Sequence, residues 1–354
     1  MKSIMFMIPS MTRGGAERVV SILANDYASR GWNVSILMML HSNIGYELDP
    51  SIKVIDISDD GRSIVLMYPI LIHRTKKVVK TVNPDIIVSF MANTCLISGP
   101  ACRHSAARYV VSERIDPSRS RRNPLVRRML ESIYAHSDCC VFQTKRAYDY
   151  FPDRVKAKGT VIPNPVNVAS SAVCGGRRIV ASGRLETQKN HRLLIEAFSD
   201  VHGEFPDWRL DIYGEGSERK NLENLIRESG LGDSVSLKGN VPDLHTQIAD
   251  AGLYVLSSDY EGLSNALIEA MMMGLPCIST DCAGSDEIIT DGKDGIIVPV
   301  GDRKALANAM RHLMADGKLA SSMGKAAGLS SGRFRTEAVI GKWRKAIEGD
   351  SYVS

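Results

Sequence analysis

The chain has 354 residues, of which 44% are hydrophobic and 24% charged, and its formal net charge is +4. That length and apolar content suffice for two cores, so two domains are expected. The charge excess is too small to argue for nucleic acid, and no stretch approaches the length of a transmembrane helix.

Short apolar strands alternate with longer amphipathic segments, the pattern of parallel sheets covered by helices. In the first half, strands are expected over Ser3 to Ile8, Asn33 to Leu40, Lys53 to Ile57, Asp85 to Phe90, Arg108 to Ser112, Cys139 to Phe142 and Thr160 to Ile162. The first apolar run, Ile4 to Ile8, is stopped by Pro9 and followed by Arg13 and two glycines, so it is too short for a signal peptide. Gly14 and Gly15 precede an amphipathic helix starting near Ala16, and can let the chain close over a phosphate or a hydroxyl group. Glu17 and Arg18 fall in its first turn and read as helix-terminal charges. Asp59-Asp60 is the nearest approach to a paired-carboxylate metal site, but it lies in a polar turn and reads as a solvated loop. The pattern breaks at Asn167 to Gly176, which reads as a linker. It restarts with strands expected over Ile179 to Ser182, Arg209 to Tyr213, Ser234 to Lys238, Gly252 to Leu256, Cys277 to Ser279 and Gly295 to Val298. The tail from Phe334 to Gly349, with Trp343 among charges, reads as a final helix. The expected domains are thus residues 1–166, a linker at 167–176, a second domain at 177–333 and the terminal helix at 334–354. Seven cysteines with no C-x-x-C pair read as reduced core thiols of a cytosolic protein.

The most informative stretch runs from Ser257 to Thr280. A buried strand ending at Leu256 leads through Glu261 and Gly262 into a helix from Ser264 to Met273, ended by Gly274 and Pro276. Glu261 and Gly262 therefore sit at the carboxyl edge of a sheet, where open α/β folds bind ligands. Ser264 and Asn265 can cap the helix, whose free N–H groups make an anion site. Glu269 lies four residues beyond Asn265, on the same face one turn deeper. One carboxylate can reach sugar hydroxyls and the other a ribose diol, with a diphosphate between them. After the strand ending at Ser182, Gly183 allows close backbone approach, while Arg184 and Lys189 project from the turn where both can meet a diphosphate.

These residues carry a family resemblance over nearly the whole chain. The 257–280 pattern resembles the nucleotide-sugar signature of retaining GT-B glycosyltransferases, glycosyltransferase family 4 in particular. Ser10-Met-Thr-Arg-Gly-Gly-Ala-Glu-Arg18 resembles that family's first glycine loop, Pro163-Asn-Pro-Val166 its interdomain turn, and Ser182-Gly-Arg-Leu-Glu-Thr-Gln-Lys-Asn190 its diphosphate-binding turn. The resemblance implies an α/β GT-B architecture: two doubly wound Rossmann-like domains facing each other across a cleft, acceptor side first, with the final helix packing back towards the N-terminal domain. It implies that Glu261 holds the sugar hydroxyls, Glu269 the ribose, and Arg184 and Lys189 the diphosphate. The backbone N–H groups of Gly262, Leu263 and Ser264 orient phosphates or sugar. The glycine turn Gly214-Glu-Gly216 and the backbone about Val241, in Gly239-Asn-Val-Pro-Asp243, lie near the base; a purely structural turn explains either equally well.

One position departs from the family. In Val111-Ser-Glu-Arg-Ile-Asp116, where many relatives carry His, this chain has Arg114. Arginine stays protonated and cannot act as a base, so the role expected of it is electrostatic, on the donor or an acceptor phosphate. The family's retaining mechanism, in which the departing phosphate accepts the acceptor proton, tolerates that change. Arg119, Arg121, Arg122, Arg127 and Arg128 form a basic cluster suited to an anionic inner-leaflet surface and a polyprenyl-diphosphate-linked glycan. Their lack of interleaved aromatics argues against single-stranded nucleic acid.

The expected activity is retaining, metal-independent and cofactor-free transfer of a hexose from a UDP-sugar to a hydroxyl of a lipid-linked oligosaccharide, in O-antigen or capsule-type synthesis. The expected place is the cytoplasmic face of the inner membrane, as a peripheral protein. Alternatives are a nucleotide-sugar 2-epimerase of the same architecture, a sugar-binding module, and a dinucleotide oxidoreductase, which fails on the missing G-x-G-x-x-G after the first strand.

Overall fold

The computed structural model describes residues 1–349 apart from 13, 43, 59–63, 116, 118–122, 169–174 and 283; of 64–66 it describes the backbone alone. Asp59-Asp60, most of the expected linker and Arg119, Arg121 and Arg122 thus lie outside the described residues. The chain divides into two compact units, one of residues 1–165 with 337–354, the other of residues 166–336.

In the first unit the described strands are β1 (Ser3–Ile8), β2 (Asn33–Met38), β3 (Lys53–Asp56), β4 (Ile86–Phe90), β5 (Arg108–Glu113), β6 (Cys139–Phe142) and β7 (Gly159–Val161). They form one parallel sheet in the order β3-β2-β1-β4-β5-β6-β7. Such a sheet is covered on both faces, which is why central strands such as β1 and β4 read as mostly apolar runs, whereas the edge strand β3 is only half-buried. Alternate side chains feed opposite cores: Ile4, Phe6 and Ile8 join Val19, Val20 and Leu23 of the helix Gly15–Ser29, while Met5 and Met7 join Leu71 and Val79 of the helix Ile64–Val82.

The last helix, Thr336–Glu348, belongs to this first core. Trp343, which reads in sequence as one apolar residue among charges, is fully buried and stacks on Phe90 with ring centroids 5.4 Å apart. The Arg30 guanidinium and the Tyr27 hydroxyl both donate to Glu348 Oε1, at 2.6 and 3.0 Å. Arg344 grips Asp26, and Arg108 donates to the carbonyl of Ile347 at 2.9 Å.

The second unit holds β8 (Arg178–Ser182), β9 (Arg209–Tyr213), β10 (Val235–Gly239), β11 (Leu253–Leu256), β12 (Cys277–Thr280) and β13 (Ile296–Val298). They too are parallel, in the order β10-β9-β8-β11-β12-β13. Most strand limits lie within one residue of the sequence expectation. The exception is β2, which ends at Met38 rather than Leu40, because Met39 and Leu40 donate instead to the carbonyls of Ile8 and Pro9 beyond the end of β1.

The six described cysteines are buried and unbridged; the seventh, Cys174, lies outside the described residues. Burial pushes the thiols of Cys102 and Cys140 up to about 12, so neither is a thiolate at neutral pH.

Candidate active site

Strand order decides where the second unit can bind. Strand order across its sheet reverses between β8 and β11, so the loops leaving those two strands lead to helices on opposite faces, Leu193 and Leu194 joining one core and Leu267 and Ile268 the other, and a crevice opens between the loops at the carboxyl edge. These are the loops that carry Arg184 and Lys189 on one side and Glu261 on the other.

The two loops are laced together. Asp259 N–H donates to the Gln188 carbonyl at 2.9 Å, Gln188 Nε2 to the Tyr260 carbonyl at 2.9 Å, and Ser257 Oγ to the Lys189 carbonyl at 3.0 Å. Asn190, in a left-handed conformation, caps the helix His191–His202 through its Oδ1 and donates from Nδ2 to Asp259 at 2.7 Å. Gln188, Asn190, Ser257 and Asp259 carry no chemistry of their own here, and sequence reasoning passes over them.

Their effect is to bring Lys189 and Glu261 together. Lys189 Nζ lies 2.5 Å from Glu261 Oε1, with the two side chains 14% and 10% exposed. Ser258 Oγ donates to the same carboxylate oxygen at 2.8 Å. Two groups expected to take different parts of one donor, its diphosphate and its sugar, thus pair with each other. Arg184, two residues beyond β8, is exposed.

Gly183 has a φ of +153°, and a Cβ there would press on the Lys189 stem at 3.0 Å. The turn at Gly214 packs beneath it: a Cβ on Gly214 would come within 2.0 Å of the Gly183 carbonyl oxygen, and the N–H groups of Gly183 and Leu185 donate to Tyr213 and Glu215. The Gly214-Glu-Gly216 turn is therefore a seat for the Arg184 turn. Against that turn sits His191, which is 4% exposed; burial, then the Lys189 charge, pulls its imidazole down to about 4, so it is neutral.

The helix after Glu261 is Asn265–Met273, and its cap is Ser264, whose Oγ accepts from Leu267 N–H. Asn265 is the first helical residue and does not cap. Gly262 and Leu263 complete the approach to this helix start, with Leu263 buried. Glu269 is half-buried one turn in, where His245 Nε2 lies 3.3 Å from its Oε2. His245 belongs to the short helix Leu244–Ile248, capped by Asp243, and Val241 just before it packs on the core beside Leu263 and Leu267.

In the first unit, Gly14 precedes the helix Gly15–Ser29, and its lack of a side chain leaves room for Glu17 to fold back over it. Burial pushes the Glu17 carboxyl above its ordinary range. Tyr46 donates to the Gly14 carbonyl at 2.8 Å. Arg114 is 7% exposed and its guanidinium faces inward: it donates to Asn164 Oδ1 and, at 3.5 Å, to the Ile162 carbonyl, and lies 5.7 Å from the centre of the Trp343 ring. Burial lowers it to about 9, with Glu113 opposing, so it keeps its charge at neutral pH. Its partners are interior groups of the first unit. Of the basic cluster, Arg127 pairs with Glu131 at 2.8 Å and covers Tyr150, while Arg128 is exposed.

Two family models match end to end. Glycosyltransferase Family 4 matches residues 13–170 and Glycosyl transferases group 1 matches residues 171–329. Among curated relatives, the lipopolysaccharide core biosynthesis glycosyltransferase LpsE of Rhizobium meliloti is 24% identical over 96% of this chain and 95% of its own length. An N-acetylgalactosaminyltransferase of Campylobacter jejuni, named for a diphospho-undecaprenol-linked acceptor, is 26% identical over 90% of this chain and 92% of its own. An exopolysaccharide phosphotransferase of Streptomyces coelicolor is 36% identical over 54% of this chain, which spans only 20% of that protein. Among solved structures, HepE of Anabaena, in complex with UDP and glucose, superposes with a TM-score of 0.81 over 98% of this chain and 99% of its own, at 18% identity. Two Rossmann-like parallel-sheet units, a family match to each half and glycosyltransferase relatives matched over nearly their full length lead to one assignment: the chain belongs to the glycosyltransferases of the GT-B fold.

Proposed function

We propose that this protein transfers a hexose from a UDP-sugar to a hydroxyl of a polyprenyl-diphosphate-linked oligosaccharide, with retention at the anomeric carbon and without a metal. The observation that carries this reading is the meeting of Lys189, Glu261 and the start of the helix Asn265–Met273 at one sheet edge. In the reaction, the bond between the anomeric carbon and the diphosphate oxygen breaks as the bond to the acceptor oxygen forms. The acceptor proton passes to the departing phosphate. Arg184 and Lys189 neutralise the charge growing on that phosphate, where each charge-assisted hydrogen bond contributes roughly 1.5–3 kcal/mol. Glu261 holds the sugar hydroxyls once the donor phosphate has taken Lys189 from it, Gly262 to Ser264 offer N–H groups, and Glu269 takes the ribose.

The UDP of HepE and the undecaprenol-linked acceptor named for the Campylobacter relative support the choice of substrates. The membrane reading rests on the basic cluster and on the helix Pro124–His136, where Leu125 and Met129 are 66% and 45% exposed beside Arg128. Among the described residues no helix is long and apolar enough to cross a membrane, and we place the protein at the cytoplasmic face of the inner membrane as a peripheral one.

The test is calorimetry against UDP, GDP, ADP and their sugars in EDTA, followed by transfer assays with the bound donor and NMR of the product anomer. Metal-free binding, release of the nucleoside diphosphate and an unchanged anomer are expected. Consumption of the donor without nucleotide release would point to the epimerase, and binding that needs a divalent ion would remove the metal-free mechanism.

A further inference from the structure

We propose that His245 is a positioning residue of the donor site: through Nε2 it holds one oxygen of Glu269 and so sets the carboxylate that receives the ribose. This rests on the assignment of Glu269 to the ribose made above. Three observations carry it. The two groups are within 3.3 Å, and their side chains are 19% and 14% exposed, enough shelter to give the contact a defined geometry and enough opening to face a ligand. They come from different elements, the short helix Leu244–Ile248 and the helix Asn265–Met273, so the contact also fixes one element against the other. The segment that ends in His245 contains Val241, which packs on the same core as Leu263 and Leu267 at the head of the second helix. The backbone expected to meet the base and the carboxylate expected to meet the ribose are thereby held in one register.

A glutamate has three rotatable bonds, and a diol needs its carboxylate in one plane. A partner that fixes one oxygen leaves less freedom to lose when nucleotide binds. Glutamine at 245 can still offer an N–H near the place of Nε2, whereas alanine offers none.

The experiment measures, on the full chain, binding of UDP, GDP and ADP and of their 2′,3′-dideoxy counterparts to wild type, Glu269→Ala, His245→Ala and His245→Gln. For the nucleotide that binds, wild type is expected to lose about tenfold or more on removal of the diol, the value of one charge-assisted hydrogen bond. Glu269→Ala should erase that discrimination. His245→Ala should erase most of it, and His245→Gln should keep most of it, with kcat for transfer little changed in either while KM rises in the first. Full discrimination in Glu269→Ala would overturn the ribose assignment, and with it the role of His245. Discrimination lost in Glu269→Ala but intact in His245→Ala would overturn the role of His245 alone. Equal loss in His245→Ala and His245→Gln would also overturn it, since the contact through Nε2 would then not be the cause. No binding of any of the three nucleotides would overturn both.

Discussion

At the scale of single residues, the candidate site holds a pair of opposite charges that neutralise one another. Lys189 and Glu261 are both largely sheltered, so removing either leaves the other without its partner in a poorly solvated place. Lys189→Ala is expected to lower kcat by about tenfold to a hundredfold, the cost of one lost charge-assisted contact to the leaving group, with the protein still folded by circular dichroism. Transfer kinetics equal to wild type would remove Lys189 from the mechanism. His191 makes a second prediction, on stability. Its folded value of about 4 lies below the ordinary histidine value of 6.5, so the unfolded chain binds the extra proton first. Stability from this group is therefore complete above about pH 6.5 and falls as pH drops towards 4, by up to about 3 kcal/mol. Urea midpoints across that window should decline for wild type and decline less for His191→Phe; parallel declines would show that another group titrates. Arg114 shows how far residue type alone can lead. Its fixed charge was legible, but its direction was not, and the interior partners Asn164 and Trp343 come from segments 50 and more residues away.

At the scale of elements, the helices carry the more local rules. Ser264, placed between a strand end and an apolar helix, caps that helix as its residue type and position predict, and Gly274 closes it in a left-handed turn. The helix Pro124–His136 is unusual in presenting apolar Leu125 and Met129 one turn apart on an exposed face with Arg128. If that face meets an anionic bilayer, Leu125→Glu with Met129→Glu should abolish co-sedimentation with vesicles containing phosphatidylglycerol, while Arg128→Ala should weaken it by about fivefold, near 1 kcal/mol. Wild type that binds neutral phosphatidylcholine vesicles equally well would make the attraction purely apolar. Failure to bind either vesicle would remove the membrane from the reading.

At the scale of the whole molecule, the chain returns at residue 337 to the unit in which it began. Trp343 completes the first core rather than adding a surface helix, and its fully buried ring makes Trp343→Ala costly, by about 3–5 kcal/mol. Calorimetric melting should show the transition of the first unit lowered and that of the second kept; equal shifts in both would mean that the two units unfold as one. The sequence by itself determined the strands, most plainly the central ones such as β1, β4 and β11, which are mostly apolar runs that only a sheet covered on both faces can use. It also determined the glycine turns and the helix cap at the sheet edge, because both have local signatures. Only the tertiary structure decided which of them meet. Lys189 and Glu261 are 72 residues apart and become neighbours because β8 pairs with β11. His245 reaches Glu269, and Trp343 reaches Phe90, through packing between elements distant along the chain. Such contacts follow from strand order and core shape, which no window of local sequence contains.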